Sequence, residues 1–198
     1  MPRLVLASQS PSRRMLLEQA GVDPVCHPAD VDEDALLASL SHISPSERVT
    51  ALARAKAEAV APRYPDDVVV GCDSMLLLDG HLLGKPHTAE ETVRRWKSQR
   101  GQTAHLVTGH AAVYHGTWVT GPVETAIRFG DVSDADIDAY AASGEPLECA
   151  GAFTLEALGS WFIDSVDGDP TSVIGLSMPF LRKALYSFGL EASAFWRA

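Results

Sequence analysis

Helix-start signals recur along this chain between apolar, strand-like runs, and that alternation restricts the fold to a mixed, twisted α/β sheet with flanking helices. Ser44-Pro45-Ser46-Glu47 has the form of a capping box and predicts a helix to about Ala61; Thr88-Ala89-Glu90-Glu91 has the same form and predicts another to about Gln99. Ser133 opens a third, which ends near Ser143-Gly144. A last amphipathic helix, with Phe180, Leu181, Ala184, Leu185 and Phe188 on one face, stops at Gly189. Strands are expected at 68–72, 75–78, 105–114, 118–129 and 160–166, with Asp79-Gly80 and His115-Gly116 as hairpin turns. No repeat, low-complexity tract or linker breaks the 198 residues, 46% of them hydrophobic, so residues 1–198 are read as one domain. A second lobe is expected only as an excursion within it.

The first strand, Leu4-Val5-Leu6-Ala7, runs through Ser8-Gln9-Ser10-Pro11-Ser12 into a helix that opens with Arg13 and Arg14. Ser10 suits the N-cap and Pro11 the first helical position, where its missing N–H costs nothing. First-turn N–H groups, the local dipole and two guanidinium groups then converge on one region suited to phosphate. The alternative is an ordinary capped turn with solvated arginines.

A formal net charge of −10 argues against a nucleic-acid polymer as partner, because such binding needs a basic face. A phosphate ligand has to be handled locally. Cys26, Cys72 and Cys149 are scattered, which excludes a disulfide framework and a cysteine-rich zinc site and fits a reducing cytoplasm. The absence of a long apolar run leads to the expectation of a soluble, cytoplasmic protein with no membrane partner.

Asp73 is a lone carboxylate between Val68-Val69-Val70-Gly71-Cys72 and Ser74-Met75-Leu76-Leu77-Leu78. Buried and unpaired it would be costly, so it calls for a metal ion, a cationic partner or a raised pKa; a strand-end Asp bonding turn N–H groups is the plain alternative. Lys56 shares a helical stripe with Val49, Leu52, Ala53 and Val60, a cation where a core residue belongs, with a snorkelling lysine as the competing reading. Lys85, between Gly84 and Pro86 on a turn, is well posed to meet an anion or simply water. Glu33 sits in the acidic knot Val31-Asp32-Glu33-Asp34; alone it reads as solvated loop charge, and beside Asp73 it would offer oxygen ligands to Mg²⁺.

Several chemistries are missing. There is no G-x-x-x-x-G-K-[ST] loop, no H-E-x-x-H and no G-x-S-x-G, and the seven histidines lack metal-ligand spacing. His105 and His110 read as strand or loop residues.

Taken together, L-A-S-Q-S-P-S-R-R, V-D-E at 31–33, L-A-R-A-K-A at 52–57, G-C-D-S at 71–74 and G-K-P at 84–86 resemble, in order and spacing, the Maf family of nucleoside triphosphate pyrophosphatases. Thr108-Gly109, Ser143-Gly144-Glu145-Pro146, Ala150-Gly151 and Val173-Ile174-Gly175-Leu176 extend the likeness over nearly the whole chain. The resemblance implies a two-lobed, ITPase-like α/β fold around a central cleft, often dimeric. It also implies cleavage of nucleoside triphosphates to monophosphate and pyrophosphate with a divalent cation, Mg²⁺ or Mn²⁺, as house-cleaning against non-standard nucleotides. On the matching positions it implies Asp73 as general base or metal-bound carboxylate and Glu33 as its acidic companion. Ser8, Ser10, Arg13, Lys56 and Lys85 become triphosphate contacts.

Two departures bear on selectivity. Ser12 replaces the first arginine of S-P-R-R, with Arg14 as a substitute phosphate contact. Glu148 to Glu156 reads E-C-A-G-A-F-T-L-E, and Cys149, Phe153 and Glu156 are similar to the branch acting on 7-methyl-GTP, where Glu156 would meet a guanine edge or a cationic base. The stretch Gly159 to Ile163 is similar to actinobacterial-type members. Because the family name comes from septum formation, the rival expectation is a nucleotide-binding regulator of cell division without turnover. A further alternative is a generic α/β phosphosugar or nucleotide enzyme.

Overall fold

The computed structural model describes residues 1–197. Two compact units divide the chain: Met1–Asp73, Thr108–Val123 and the stretch from Gly175 onward form the first, and Ser74–Val107 with Glu124–Ile174 the second.

Among the described residues seven strands share a mixed sheet: β1 (Leu4–Leu6), β2 (Val25–Cys26), β3 (Val68–Leu78), β4 (His81–Leu83), β5 (Thr103–Tyr114), β6 (Thr117–Phe129) and β7 (Ile163–Asp167). Their order is β2-β1-β3-β5-β6-β7, with β4 on β3. β1 pairs in parallel with both neighbours, Val5 opposite Val25 and Val69. Parallel strands covered on both faces read as unbroken apolar runs, which is why 4–7 and 68–72 stand out in the sequence. Asp79 (φ 50°) and Gly80 (φ 80°) turn β3 into antiparallel β4 with Leu78 opposite His81; two successive left-handed residues are what a tight two-residue hairpin requires.

The first unit carries α1 (Pro11–Gln19), α2 (Glu33–Ser39), α3 (Pro45–Val60) and α7 (Met178–Ser187). The capping box at Ser44 is complete: Ser44 Oγ accepts from Glu47 N, and the Glu47 carboxylate accepts from Ser44 N. Ala53 and Ala57 of α3 pack into a core with Val5, Val69 and Ala111. Two glycines decide how closely α3 sits. A Cβ at Gly71 of β3 would lie 2.1 Å from the Ala53 carbonyl oxygen, and one at Gly109 of β5 would lie 2.4 Å from that of Val49. Helix backbone rests directly on sheet backbone there, and only hydrogen fits between them.

The second unit carries α4 (Ala89–Gln99), α5 (Asp134–Ala142) and the short α6 (Pro170–Ile174). Its core surrounds Trp96, whose ring meets Phe129, Tyr140 and Phe162 edge to face at 5.4, 5.8 and 5.7 Å.

The structure departs from expectation in four places. The runs 68–72 and 75–78 are one strand, so Asp73 lies inside β3 and not at a strand end. The acidic knot at 31–34 starts a helix: Asp32 Oδ1 accepts from Ala35 N at 3.0 Å and Glu33 is the first residue of α2. At Thr88 only half of the capping box forms, because the Glu91 carboxylate turns to Arg94 and Arg95. The strand expected at 160–166 begins only at Ile163; Leu158–Phe162 is a 3-10 turn in which Ser160 gives both its N–H and its hydroxyl to the Ala157 carbonyl.

Candidate active site

Ser10 caps α1 as expected: its backbone is extended (φ −61°, ψ 119°), its Oγ accepts from Arg13 N at 3.5 Å, and Pro11 follows. Ser8 Oγ accepts from Ser10 N at 3.1 Å and from Arg13 Nη1 at 3.2 Å, and Arg13 Nε donates to the Gly175 carbonyl at 2.7 Å. Arg13 is 9% exposed, so its guanidinium is fixed along an edge. Arg14 does not join it. On the outer face of the helix its Nε pairs with Glu18 at 2.7 Å, because consecutive helical residues point about 100° apart. The convergence of two guanidiniums expected from the sequence is therefore a single one.

Lys56 and Asp73 face each other across the α3–β3 contact, 9% and 7% exposed, with Lys56 Nζ 2.7 Å from Asp73 Oδ1. Glu33 Oε2 lies 3.0 Å from the same ammonium. Helical phase puts Lys56 on the sheet side of α3, and the clearance at Gly71 brings that side close enough for direct contact. The lysine turns inward, which excludes the snorkelling reading. Burial pushes the Asp73 carboxyl above its ordinary range; Lys56 and Arg13 pull it back, and Glu33 adds to the rise. Burial also pushes the Cys72 thiol up to about 11, so it stays protonated at neutral pH.

Ser8, Ser10, Arg13, Glu33, Lys56 and Asp73 thus belong to the first unit, where the hydrogen bonds and charges above link them. Lys85 and Glu156 belong to the second. Lys85 is exposed, its Nζ 3.5 Å from Glu148 Oε2, on a turn held by Arg95 Nη1 donating to the Gly84 carbonyl at 2.6 Å. Glu156 is half-buried, its carboxylate accepting from Leu155 N at 3.0 Å. His110 is fully buried; its Nε2 accepts from Ser177 N at 2.8 Å and its ring stacks on Phe180, a packing role.

Sequence reasoning gave no role to Glu145, whose carboxylate accepts four hydrogen bonds. Its signal in the sequence is its place in Ser143-Gly144-Glu145-Pro146, just past the end of α5 and one of the segments that carry the family resemblance.

No group of three or more His, Cys, Asp or Glu suited to a metal occurs among the described residues. Glu33 and Asp73 form a two-carboxylate set. The cation these two carboxylates hold here is the Lys56 ammonium, at 3.0 and 2.7 Å; one or two carboxylates with water and substrate phosphates are also the donors that hard cations such as Mg²⁺ or Mn²⁺ take.

A mixed α/β protein with a buried carboxylate–ammonium pair next to a serine-lined, arginine-bearing helix start belongs with the proteins equipped to handle small anionic ligands. Comparison with known proteins narrows the class. A family model described as Maf-like protein matches residues 3–188, and the chain belongs to that family. It is 66% identical over 194 residues to a Corynebacterium efficiens protein named nucleoside triphosphate pyrophosphatase, with 98% of each chain covered. Proteins of the same name from Nocardia farcinica and Saccharopolyspora erythraea are 51% and 49% identical over 204 residues, with 98% of this chain and 96% and 97% of theirs covered. Among the described residues no helix is long and apolar enough to cross a membrane.

Proposed function

We propose that this protein is a nucleoside triphosphate pyrophosphatase, hydrolysing its substrate to the nucleoside monophosphate and pyrophosphate. The observation that carries the reading is the buried Asp73 carboxylate, held against Lys56 with Glu33 on the same ammonium, in a chain whose relatives bear that name. A carboxyl held above its ordinary range by burial is suited to accept a proton from an attacking water.

In this reading Asp73 orients and deprotonates the water that attacks the α-phosphorus, and pyrophosphate leaves. Glu33 and Asp73 would hold Mg²⁺ or Mn²⁺, which when bound supplies charge neutralisation on the phosphate oxygens. Arg13, anchored by Gly175 and Ser8, gives the leaving pyrophosphate a positive charge that needs no rearrangement during reaction. Ser8 and Ser10 line the phosphate-binding turn. Lys56, released from a carboxylate as phosphate arrives, is a further phosphate contact. Lys85 and Glu156 are assigned as phosphate and base contacts.

The test is incubation of the pure protein with standard and modified triphosphates, including 7-methyl-GTP, dTTP and UTP, in Mg²⁺ or Mn²⁺, with separate detection of pyrophosphate and inorganic phosphate. Pyrophosphate release at turnover rates supports the reading. Inorganic phosphate alone rejects attack at the α-phosphorus, and binding without turnover favours a nucleotide-dependent regulator.

A further inference from the structure

The Glu145 carboxylate is a hub for the segment 154–159 of the second unit. Its Oε1 accepts from the Tyr140 hydroxyl at 3.1 Å, from Thr154 Oγ1 at 2.5 Å and from Gly159 N at 3.0 Å; its Oε2 accepts from Leu158 N at 3.0 Å. Tyr140 is 3% exposed and packs against Trp96, so the hub is anchored in the core, and its hydroxyl also accepts from Thr154 N at 3.2 Å. Both ends of the segment therefore close on one point. Gly159 completes the closure, because a Cβ there would lie 2.4 Å from the Thr154 carbonyl oxygen and 2.5 Å from the Tyr140 hydroxyl. Burial opposes ionisation of Glu145, yet the bonds it accepts prevail and hold its carboxyl below the ordinary range.

A carboxylate offers about four acceptor sites, and donors from Tyr140, Thr154, Leu158 and Gly159 take them, so the side chain is committed to holding this segment. At the middle of the closed segment sits Glu156, whose carboxylate accepts from Leu155 N. We infer that Glu145 is a positioning residue for nucleobase recognition, fixing the backbone of 154–159 so that the Glu156 carboxylate is presented to the base. The inference rests on the proposed reading of Glu156 as a base contact. Glu145 itself touches no substrate. Its carboxylate cannot be replaced by an amide without setting an NH₂ group against an N–H or O–H donor.

The experiment measures steady-state pyrophosphate release from the best purine and the best pyrimidine triphosphate for the wild type, Glu145→Gln, Glu156→Ala and the double variant. Amide hydrogen exchange at Leu158 and Gly159 is followed in parallel. The expected result for Glu145→Gln is faster exchange at both amides, a KM for the preferred substrate raised about tenfold, kcat changed less than about threefold, and at least a roughly fivefold loss of base discrimination. Glu156→Ala loses discrimination similarly, and the double variant loses no more than Glu156→Ala alone. A purely structural role would lower stability and leave the purine-to-pyrimidine ratio intact. Unchanged discrimination in folded Glu145→Gln, with loss in Glu156→Ala, overturns the inference and leaves the base contact standing. Unchanged discrimination in Glu156→Ala overturns the base contact, and the inference with it. Should Glu145→Gln not fold, Glu145→Asp keeps the charge but draws the carboxylate back from its donors at 154, 158 and 159; the same drop in discrimination with faster exchange at Leu158 and Gly159 supports the positioning role, and a wild-type ratio despite faster exchange overturns it.

Discussion

Lys56 Nζ meets Asp73 Oδ1 at 2.7 Å in a site where both residues are less than a tenth exposed, and the half-exposed Glu33 reaches the same nitrogen from α2. The pair is asymmetric. Asp73 is enclosed by β3 and depends on its partners for compensation, whereas Glu33 keeps contact with water.

Replacing Asp73 by Asn preserves shape and removes the carboxylate proposed as proton acceptor. kcat for pyrophosphate release is expected to fall by about a hundredfold or more, as when a single stabilising group is lost from a transition state. The variant should still melt cooperatively. Steady-state assays with circular-dichroism melting check both halves, and near-normal turnover in the folded variant removes Asp73 from the mechanism.

Lys56→Met keeps the length of the stem and deletes the charge, leaving Asp73 buried beside Glu33 with its nearest cation gone. Breaking one side of a buried pair costs about 3–5 kcal/mol. In the double variant with Asp73→Asn most of that loss should return, because no buried charge is then left uncompensated. Urea unfolding of the four proteins of the cycle gives the coupling directly; a double variant no more stable than Lys56→Met would mean that the lysine stem matters more than its charge.

Gly71→Ala tests the contact that makes the site. With the new Cβ 2.1 Å from the Ala53 carbonyl oxygen, α3 has to move away from β3, and a loss of more than about 3 kcal/mol is expected. At Gly121 a Cβ meets only Phe180 Cε2 at 3.7 Å, so Gly121→Ala should cost about 1 kcal/mol or less. Equal stability of the two variants would show that α3 tolerates displacement.

The acid side of the stability profile should carry the signature of Glu91. Arg94 and Arg95 hydrogen-bond its carboxylate and hold its pKa at about 2, below the ordinary carboxylate value. A depressed carboxyl contributes stability above the unfolded value, near 4.3, and loses it as pH falls toward 2. The Tm difference between wild type and Glu91→Gln is therefore expected to be greatest above pH 5 and to shrink as pH falls below 4. A difference that stays constant down to pH 2.5 would assign the effect to packing.

Much of the fold could be read from the sequence because local chemistry sets the helix starts: Ser10, Ser44 and Ser133 each accept from the N–H three residues on. Asp73 and Lys56 were visible as charges in apolar patterns, since burial of an ion conflicts with its surroundings whatever the fold. Their pairing was not visible. It depends on Gly71 and Gly109, and a glycine inside a strand does not reveal which backbone approaches it. Glu145 went unassigned for a related reason, as its partners at 140, 154, 158 and 159 come together only through the path of the chain after α5. Arg14 and residues 160–162 depart from the sequence expectation at places where a local side-chain bond forms, Arg14 to Glu18 and Ser160 to the Ala157 carbonyl.

The two arginines of the first helix give the sharpest separation between packing and substrate binding. Arg13 is buried and tied to Gly175 and Ser8, while Arg14 is 60% exposed at its side chain and paired with Glu18. Exposed pairs of this kind contribute little, so Arg14→Ala should leave KM for the triphosphate within about twofold and stability within roughly 0.5 kcal/mol. Arg13→Lys keeps a positive charge but loses the planar fork that reaches Gly175 and Ser8 together, and the shorter, mobile ammonium no longer has a fixed direction. Its kcat/KM should fall at least about tenfold, with Arg13→Ala lower still. Kinetics on the three variants check the ordering. If Arg14→Ala proved the more damaging, the phosphate contact would belong to the outer face of α1, and the Ser8–Arg13–Gly175 arrangement would be a brace for the turn alone.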